Sequence, residues 1–115
     1  MSNTLAIWVV VLLVLSASSA LAMDPAIKCQ TQKLKAAAKY TACRLKAEAD
    51  AARHFAAPDF GKCDATFAAD WQSAEARALA QGAPCWTSGD AATVQADITA
   101  QTEALSDALA GGTGN

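Results

Sequence analysis

The sequence has few of the residues on which enzyme and metal sites depend. It contains one histidine, His54, and only 6% aromatic residues. The closest two of its four cysteines, Cys29 and Cys43, are 14 positions apart, whereas zinc ligands usually occur in close pairs such as C-x₂₋₄-C. C-x-x-C redox and C-x-x-C-H haem motifs are absent. These absences favour structural cysteines over metal-bound or redox-active ones.

Motifs of nucleophilic and phosphate chemistry are also missing. No serine lies in a G-x-S-x-G sequence, and the six glycines form no phosphate-binding loop. His54 falls at the predicted end of a helix, where a cation fits the helix dipole and exposure is the simpler interpretation than a general base. Asp64, Asp70 and Glu75 have the spacing of solvated carboxylates on a helix surface. We therefore expect no enzyme activity, no cofactor and no metal.

The first 23 residues contain no charged side chain. An apolar core of 11 residues, 5–15, precedes a serine-rich stretch and then Ala20-Leu21-Ala22. This order is typical of a secretory signal, so residues 1–22 are predicted to be a signal peptide cleaved after Ala22, although no Lys or Arg precedes the core. The alternative is an uncleaved membrane anchor, but a spanning helix needs roughly 20 apolar residues. We expect a secreted or periplasmic protein.

The rest of the chain is predicted to be all-α, with a single domain over residues 23–110 and a flexible tail over 111–115. Alanine is the commonest residue and the best helix former. Asp and Thr are favoured N-caps, and Pro and Gly mark helix ends. Three helices are predicted, over residues 24–55, 59–81 and about 87–110, the third opening with a capping box of Thr87 and Asp90. The short loops predict a three-helix antiparallel array.

Each predicted helix has its own apolar pattern at about 100° per residue. The second has one stripe: Phe60, Cys63, Phe67, Trp71, Ala74 and Ala78. The third has a stripe interrupted by Gln101: Ala91, Val94, Ile98, Leu105 and Leu109. The aromatic residues are expected in the core, with Trp86 packed on the neighbouring disulfide or capping the bundle end. A ligand groove lined by Tyr40, Trp71 and Trp86 is the less favoured alternative.

The first helix has two apolar faces and a basic stripe between them. One face holds Ile27, Leu34, Ala38, Leu45 and Ala52. The other holds Cys29, Ala36, Tyr40, Cys43 and Ala47. The basic stripe consists of Lys28, Lys35, Lys39, Lys46 and Arg53. We expect the cysteine face to contact the second helix and the leucine face to contact the third helix or a partner chain.

The four cysteines of a short exported chain predict a disulfide framework. Cys29 and Cys43 would lie about 21 Å apart on one helix, too far for a bond. A hairpin of the first two helices brings Cys63 near Cys43 and Cys85 near Cys29. The nested pairing Cys29–Cys85 and Cys43–Cys63 is therefore predicted, because the crossed pairing would join opposite ends of the hairpin.

Charge is unevenly distributed along the chain. Residues 24–53 carry seven basic and three acidic side chains, whereas residues 87–115 carry four acidic and no basic ones. These segments can attract one another within the fold, and no nucleic-acid binding is expected, because a nucleic-acid binder usually has an unneutralised basic face.

Three segments resemble a unit found in exported bacterial proteins. They are residues 29–49, CQTQKLKAAAKYTACRLKAEA, residues 59–65, DFGKCDA, and Cys85 followed by GDAA at residues 89–92. In those proteins the cysteine-bearing, Ala/Lys-rich helical unit often recurs in tandem, and no activity is established for it. The resemblance implies an exported helical module and assigns no catalytic residue, and this chain has one copy.

The expected function is that of an exported, non-catalytic module with a structural or interaction role in the cell envelope or outside the cell. The expected partner is a protein or an anionic envelope component. The predicted interaction surface lies on the first helix and comprises Ile27, Leu34, Leu45, Lys28, Lys35, Lys39 and Lys46. The alternative function is a carrier of a small ligand or metal in the space between the helices.

Overall fold

The structure is a computed structural model that describes residues 24–111. It consists of three α-helices, α1 (Pro25–His54), α2 (Gly61–Ala80) and α3 (Ala91–Leu109), without a strand in these residues. The predicted all-α class and the number of helices are confirmed. The predicted signal peptide and residues 112–115 of the predicted tail lie outside the described residues.

Helix α1 begins and ends where its caps predict. The Asp24 carboxylate accepts a hydrogen bond from the backbone N–H of Ala26 at 2.8 Å, and Pro25 occupies the first helical position. The helix ends at Phe55, whose φ of 51° and ψ of 42° are left-handed. Its backbone N–H donates to the Ala51 carbonyl oxygen, which closes the last turn.

Phe55 is an unusual residue for a left-handed C-cap, because a bulky side chain disfavours positive φ. We expect Phe55→Gly to raise the free energy of unfolding by about 0.5–1 kcal/mol, less than the full relief of strain because glycine loses more entropy on folding. Urea unfolding followed by circular dichroism measures this. Phe55→Ala is the control: it removes the aromatic ring but keeps the Cβ, so a gain equal to that of glycine would contradict the argument.

Helix α2 begins one residue later than predicted. Its N-cap is Phe60, which makes no side-chain capping bond. The predicted cap, Asp59, instead lies one position earlier, and its carboxylate accepts from the Gly61 N–H at 2.9 Å. The helix ends at Ala80, and Gly82 follows with φ of 79°, as the sequence predicts for a glycine stop.

The start of α3 corrects the predicted capping box. Asp90 is the N-cap residue, but its side chain makes no capping bond to the backbone of α3. Thr87 Oγ1 donates to Asp90 Oδ2 at 2.6 Å, so the two side chains bond to each other rather than to helix N–H groups. The physical reason is competition, because Lys33 and Trp71 both donate to Asp90 Oδ1.

The two cysteine pairs connect α1 to α2 and to the segment after it. Cys29 and Cys85 lie at disulfide distance with an S–S separation of 1.91 Å, and Cys43 and Cys63 with 1.96 Å. This confirms the predicted nested pairing. It also fixes α1 and α2 as an antiparallel hairpin, with one pair near each end.

Helix α3 runs parallel to α1 and completes an up-down-up arrangement. Contacts from α1 to the α3 region advance together along both: Lys33 bonds to Asp90 and Arg44 to Thr102. The main core cluster lies between the three helices and consists of Ala36, Tyr40, Cys63, Phe67, Trp71 and Ile98. A smaller cluster of Cys29, Ala74 and Ala78 packs with Cys85 at the other end of the hairpin.

The stripe predicted for α3 is wrong in its C-terminal half. Thr102, rather than an apolar residue, is the buried residue after Ile98. Leu105 is 45% exposed and Leu109 is 79% exposed. These leucines face beyond the start of α2, where the core has only two helices, so nothing in the described residues covers them fully. The stripe predicted for α2 is confirmed from Cys63 onward, since its members are buried.

Candidate functional site

The most connected polar group is Lys33 of α1, whose side chain is only 4% exposed. Its Nζ donates to the Thr87 carbonyl oxygen at 2.7 Å and to Asp90 Oδ1 at 3.1 Å. The same Nζ lies 3.2 Å from Glu75 Oε1 and 4.9 Å from the Trp71 ring centroid. A buried lysine is stable only when its charge is paired and its donors are used. Lys33 therefore joins all three helices in the fold.

Asp90 is the acceptor at the centre of this cluster. Burial raises the pKa of its carboxyl, but hydrogen bonds from Thr87, Lys33 and Trp71 favour the charged form and hold the pKa at about 2, below the ordinary 3.8. A carboxylate held in this way is suited to fixing the start of α3. It is poorly suited to accepting a proton near neutral pH.

The lowered pKa predicts a loss of stability in acid. The stabilisation from Asp90 is complete above the unfolded-state pKa near 3.8 and is lost as pH falls through about 2. With the Asp90 side chain 28% exposed and partly screened by solvent, we expect it to contribute about 1–2 kcal/mol. Asp90→Asn should show a smaller fall in unfolding free energy than the wild type between about pH 5 and about pH 2. Asp97→Asn, at an exposed position of α3, should retain the wild-type fall, and equal falls in both variants would contradict the assignment.

A second polar cluster surrounds Arg44, which is 3% exposed. Its Nε donates to Thr102 Oγ1 at 2.9 Å, and an Nη lies 3.8 Å from Glu103 Oε1. The guanidinium carbon lies 3.8 Å from the Phe60 ring centroid and 5.7 Å from that of Tyr40. This explains why a threonine occupies the buried position of α3, because an apolar residue there would leave the Arg44 Nε–H without its acceptor.

Tyr40 connects this cluster to α2 and α3. Its hydroxyl donates to Asp64 Oδ1 at 2.5 Å and accepts from Gln95 Nε2 at 3.3 Å. Gln95 Nε2 also donates to Asp64 Oδ1 at 3.1 Å. The three side chains come from three helices, so they fix the relative positions of α1, α2 and α3.

Sequence reasoning did not single out Lys33 and Arg44, although one signal was available. Both lie on the same side of α1 as Cys29, Ala36 and Tyr40. A charged residue on a face that must be buried needs a partner of opposite charge. The four acidic residues of the last segment were the candidates, and two of them, Asp90 and Glu103, are the partners found.

The carboxylates considered for catalysis are separated in the structure and have individual partners. Asp64 accepts from Tyr40, Glu75 pairs with Lys33, and Asp70 lies 3.7 Å from Lys39 Nζ. His54 is exposed in the last turn of α1. Among the described residues, no hydrogen bond or ion pair joins one of these carboxylates to His54.

The aromatic residues partly match the alternative of a ligand groove. Trp71 and Trp86 line one surface depression of about 320 Å³ together with Leu34. Tyr40 is absent from its lining and lies in the core, with its ring centroid 4.8 Å from that of Phe67. Trp86 is 64% exposed, which corrects the expectation that it packs on the disulfide or caps the bundle.

The predicted interaction surface of α1 is largely open to solvent. Ile27 is 43% exposed and Leu34 is 61% exposed, whereas Leu45 is half-buried. The lysines of the surface are all exposed: Lys28, Lys35, Lys39 and Lys46. Helix α3 packs beside the leucine face rather than over it, because Lys33 and Arg44 hold it next to the cysteine face. The expected contact of the leucine face with α3 is found only near Leu45. The alternative, a contact with a partner chain, stays a prediction.

The expected attraction between the first and last segments occurs through buried residues. Lys33 pairs with Asp90 and Arg44 with Glu103. None of the ion pairs in the described residues joins Lys28, Lys35 or Lys46 to α3. The basic stripe is therefore not neutralised by the acidic helix, which corrects the expectation from the charge distribution.

An apolar groove of about 510 Å³ lies between α1 and α3, beyond the N-terminal end of α2. It is lined by Leu45, Ala52, Pro58, Leu105 and Leu109 among others. The only ionisable side chain that lines it is Glu48, which accepts a hydrogen bond from Ser106 at 3.2 Å. The groove is chemically suited to a small apolar group.

Residues 24–111 contain no group of three or more His, Cys, Asp or Glu side chains placed to hold a metal ion. They also contain no helix with the length and hydropathy needed to cross a membrane.

Comparisons with known proteins returned no match: no family model, no curated protein and no solved structure is similar to this chain. The class of protein is therefore defined by the fold alone, as a three-helix domain with two cysteine pairs. Its function has to be inferred from the surfaces described above.

Proposed function

We propose that the chain is an exported, non-catalytic helical module that acts by binding through its surface, in the cell envelope or outside the cell. The observation that carries the proposal is the pairing of all four cysteines at disulfide distance. Stable disulfides are typical of oxidising, extracytoplasmic compartments. The signal-like residues 1–22, with cleavage after Ala22, supply a route to such a compartment.

A binding role, rather than catalysis, is supported by how the polar side chains are used. In the described part of the chain, every buried side-chain nitrogen and oxygen has a hydrogen-bond partner. Lys33, Arg44 and Asp90 have the burial or pKa shift expected of functional groups, but each bonds to groups on other helices. The exposed surface of α1, with its separate lysine and leucine stripes, is available to another molecule.

The second candidate function is that of a carrier for a small apolar ligand. It is favoured by the groove of about 510 Å³ between the C-terminal ends of α1 and α3. The volume falls in the range of small-molecule sites, which are mostly apolar with a few polar groups. Metal carriage has less support, since the cysteine sulfurs are paired with each other.

Mass spectrometry of the protein recovered from its host tests the export proposal. We expect a chain that starts at Met23, lacks four hydrogens relative to the reduced form, and yields linked peptides for the two predicted pairs. A retained N-terminus with free thiols would overturn the export proposal. Native mass spectrometry of the same sample separates the two functions, because a bound small mass favours the carrier.

A further inference from the structure

We propose that a basic face of this protein binds the headgroup surface of an anionic lipid bilayer. The basic face consists of Lys28, Lys35, Lys39 and Lys46 of α1 with Lys62 and Arg77 of α2. The inference rests on the proposed export, since it specifies the partner of the same module. Three exposed apolar residues enter the interface beside this face: Ile27 and Leu34 of the leucine face of α1, and Trp86.

The basic side chains of α1 and α2 form one continuous surface. The α1 lysines recur at spacings of seven and four residues, which places them on one side of the helix over about 27 Å. Lys62 lines the same depression as Lys39, and Arg77 lines the same depression as Lys28. Helix α2 therefore adds two cations beside the lysine stripe and one carboxylate, Asp70, which lines the same depression as Lys39 and Lys62.

The charge of this face is mostly unpaired. Within residues 24–111 only one of its six members has an ion pair, the exposed contact of Lys39 with Asp70 at 3.7 Å. An exposed pair of this kind is weak and readily exchanged. The other five members have no carboxylate within ion-pair distance in the described structure. An occupant with many negative charges is the chemical complement of such a face.

Apolar side chains lie along one flank of the lysine stripe. Ile27 and Leu34 are on α1, roughly a quarter-turn from the lysines, and both are more than 40% exposed. Trp86 is 64% exposed and lines the same depression as Leu34. Trp is enriched at membrane interfaces because its ring is apolar and its N–H is polar.

The combination of the two features favours a bilayer over a soluble polyanion or a second copy of the chain. A polyanion would engage the lysines and leave Ile27, Leu34 and Trp86 exposed. A helix with lysines beside leucine and tryptophan can lie in the plane of an anionic membrane, where the long lysine side chains reach the headgroups. In a second copy, the same α1 face would present like charges to itself.

Vesicle binding by the exported, oxidised protein tests the proposal. We expect binding to vesicles of equal parts phosphatidylglycerol and phosphatidylcholine, none to phosphatidylcholine alone, and weaker binding as salt rises. Lys28→Gln, Lys35→Gln and Lys46→Gln combined should lower the affinity about a hundredfold, since each basic residue near an anionic membrane contributes about a fivefold factor. The control combines Ala96→Glu, Ala100→Glu and Gln101→Glu on exposed positions of α3, which changes the net charge equally. Equal loss in both variants would overturn the assignment to this face.

The apolar flank has its own matched pair of variants. Leu34 is 61% exposed on α1 and Leu79 is 65% exposed on α2. We expect Leu34→Ser to lower vesicle affinity several-fold and Leu79→Ser to leave it unchanged. A blue shift of tryptophan fluorescence on binding should disappear in Trp86→Phe, because Trp71 is already buried.

Two other outcomes would overturn the inference and are distinguishable from failure of the proposed function. Equal affinity for soluble polyphosphate, without a fluorescence shift, would indicate a soluble polyanion. Association of the protein with itself in place of vesicle binding would indicate a second copy. In both cases an exported chain with two intact disulfides would leave the proposed function standing, whereas a reduced chain retained in the cell would remove it.

Discussion

Replacement of Lys33 by methionine is expected to lower the free energy of unfolding by about 3 kcal/mol, the largest effect of any single substitution considered for this protein. Methionine keeps most of the length of the side chain, so packing changes little. What is lost is the cation that holds Glu75 and Asp90 together with the Thr87 carbonyl oxygen. The two carboxylates are 24% and 28% exposed, so water screens part of their repulsion, and the effect falls at the lower end of the range for broken buried pairs.

The control for this substitution is Lys35→Met on the same helix. Lys35 is exposed and has no ion pair in the described residues, so the change should alter the free energy of unfolding by less than about 0.5 kcal/mol. Both are measured by urea unfolding at neutral pH. A Lys33→Met variant as stable as Lys35→Met would show that the cluster contributes nothing to stability.

A further substitution tests how Lys33 acts. In Lys33→Met combined with Glu75→Gln and Asp90→Asn, no charge remains to be paired in the cluster. We expect this triple variant to recover part of the lost stability, because removing both partners of a buried pair is often less costly than removing one. Recovery would separate unpaired charge from lost packing as the cause.

The helices and the cysteine pairing could be predicted because both depend on local rules. Asp24, Pro25 and Gly82 act at the helix ends through their own backbone preferences, which do not require knowledge of the tertiary fold. The pairing followed from helix length and from the expected hairpin, since Cys29 and Cys43 on one helix are too far apart to bond and the crossed pairing would join opposite ends of the hairpin. These rules were correct at the start of α1 and the end of α2, whereas the N-cap of α2 is Phe60 rather than the predicted Asp59.

The third helix could not be placed by the same rules. The stripe of α3 was counted from apolar residues, whereas the structure buries Thr102 because Arg44 needs an acceptor there. The Thr87–Asp90 capping box failed for a related reason, since Lys33 and Trp71 bond to the Asp90 carboxylate that was expected to accept from the Thr87 backbone N–H. In both places a long-range polar contact prevailed over a local preference.

The sequence predicted which residues lie on the exposed surface of α1, but not which of its charges are paired. The sequence indicated that α1 has a lysine stripe and a leucine stripe, and both are exposed in the structure. Net charge by segment suggested that α3 would neutralise the lysines. A sum over a segment does not distinguish buried from exposed cations, and the two buried ones, Lys33 and Arg44, are those that pair with the α3 region.

Removal of the two disulfides, one at a time, is expected to have unequal effects. The Cys29–Cys85 pair closes a sequence separation of 56, and the Cys43–Cys63 pair closes one of 20. If a disulfide acts by restricting the unfolded chain, the longer loop stabilises more, by about 4 kcal/mol against about 3 kcal/mol. We expect Cys29→Ala with Cys85→Ala to be the less stable double variant in urea unfolding without reductant.

The structure gives a second reason for the same order. Cys29 is 1% exposed and packs with Ala74 and Ala78 in a small cluster whose only other member is Cys85. That cluster has no large apolar side chain to retain it after the bond is lost. Cys63 instead belongs to the main core, where Tyr40 and Phe67 remain packed without the bond. Hydrogen exchange should therefore show local opening at the N-terminal end of α1 in the first variant and no matching opening at Cys43 in the second. The reverse order of stability would contradict both reasons, the loop length and the packing around each cysteine pair.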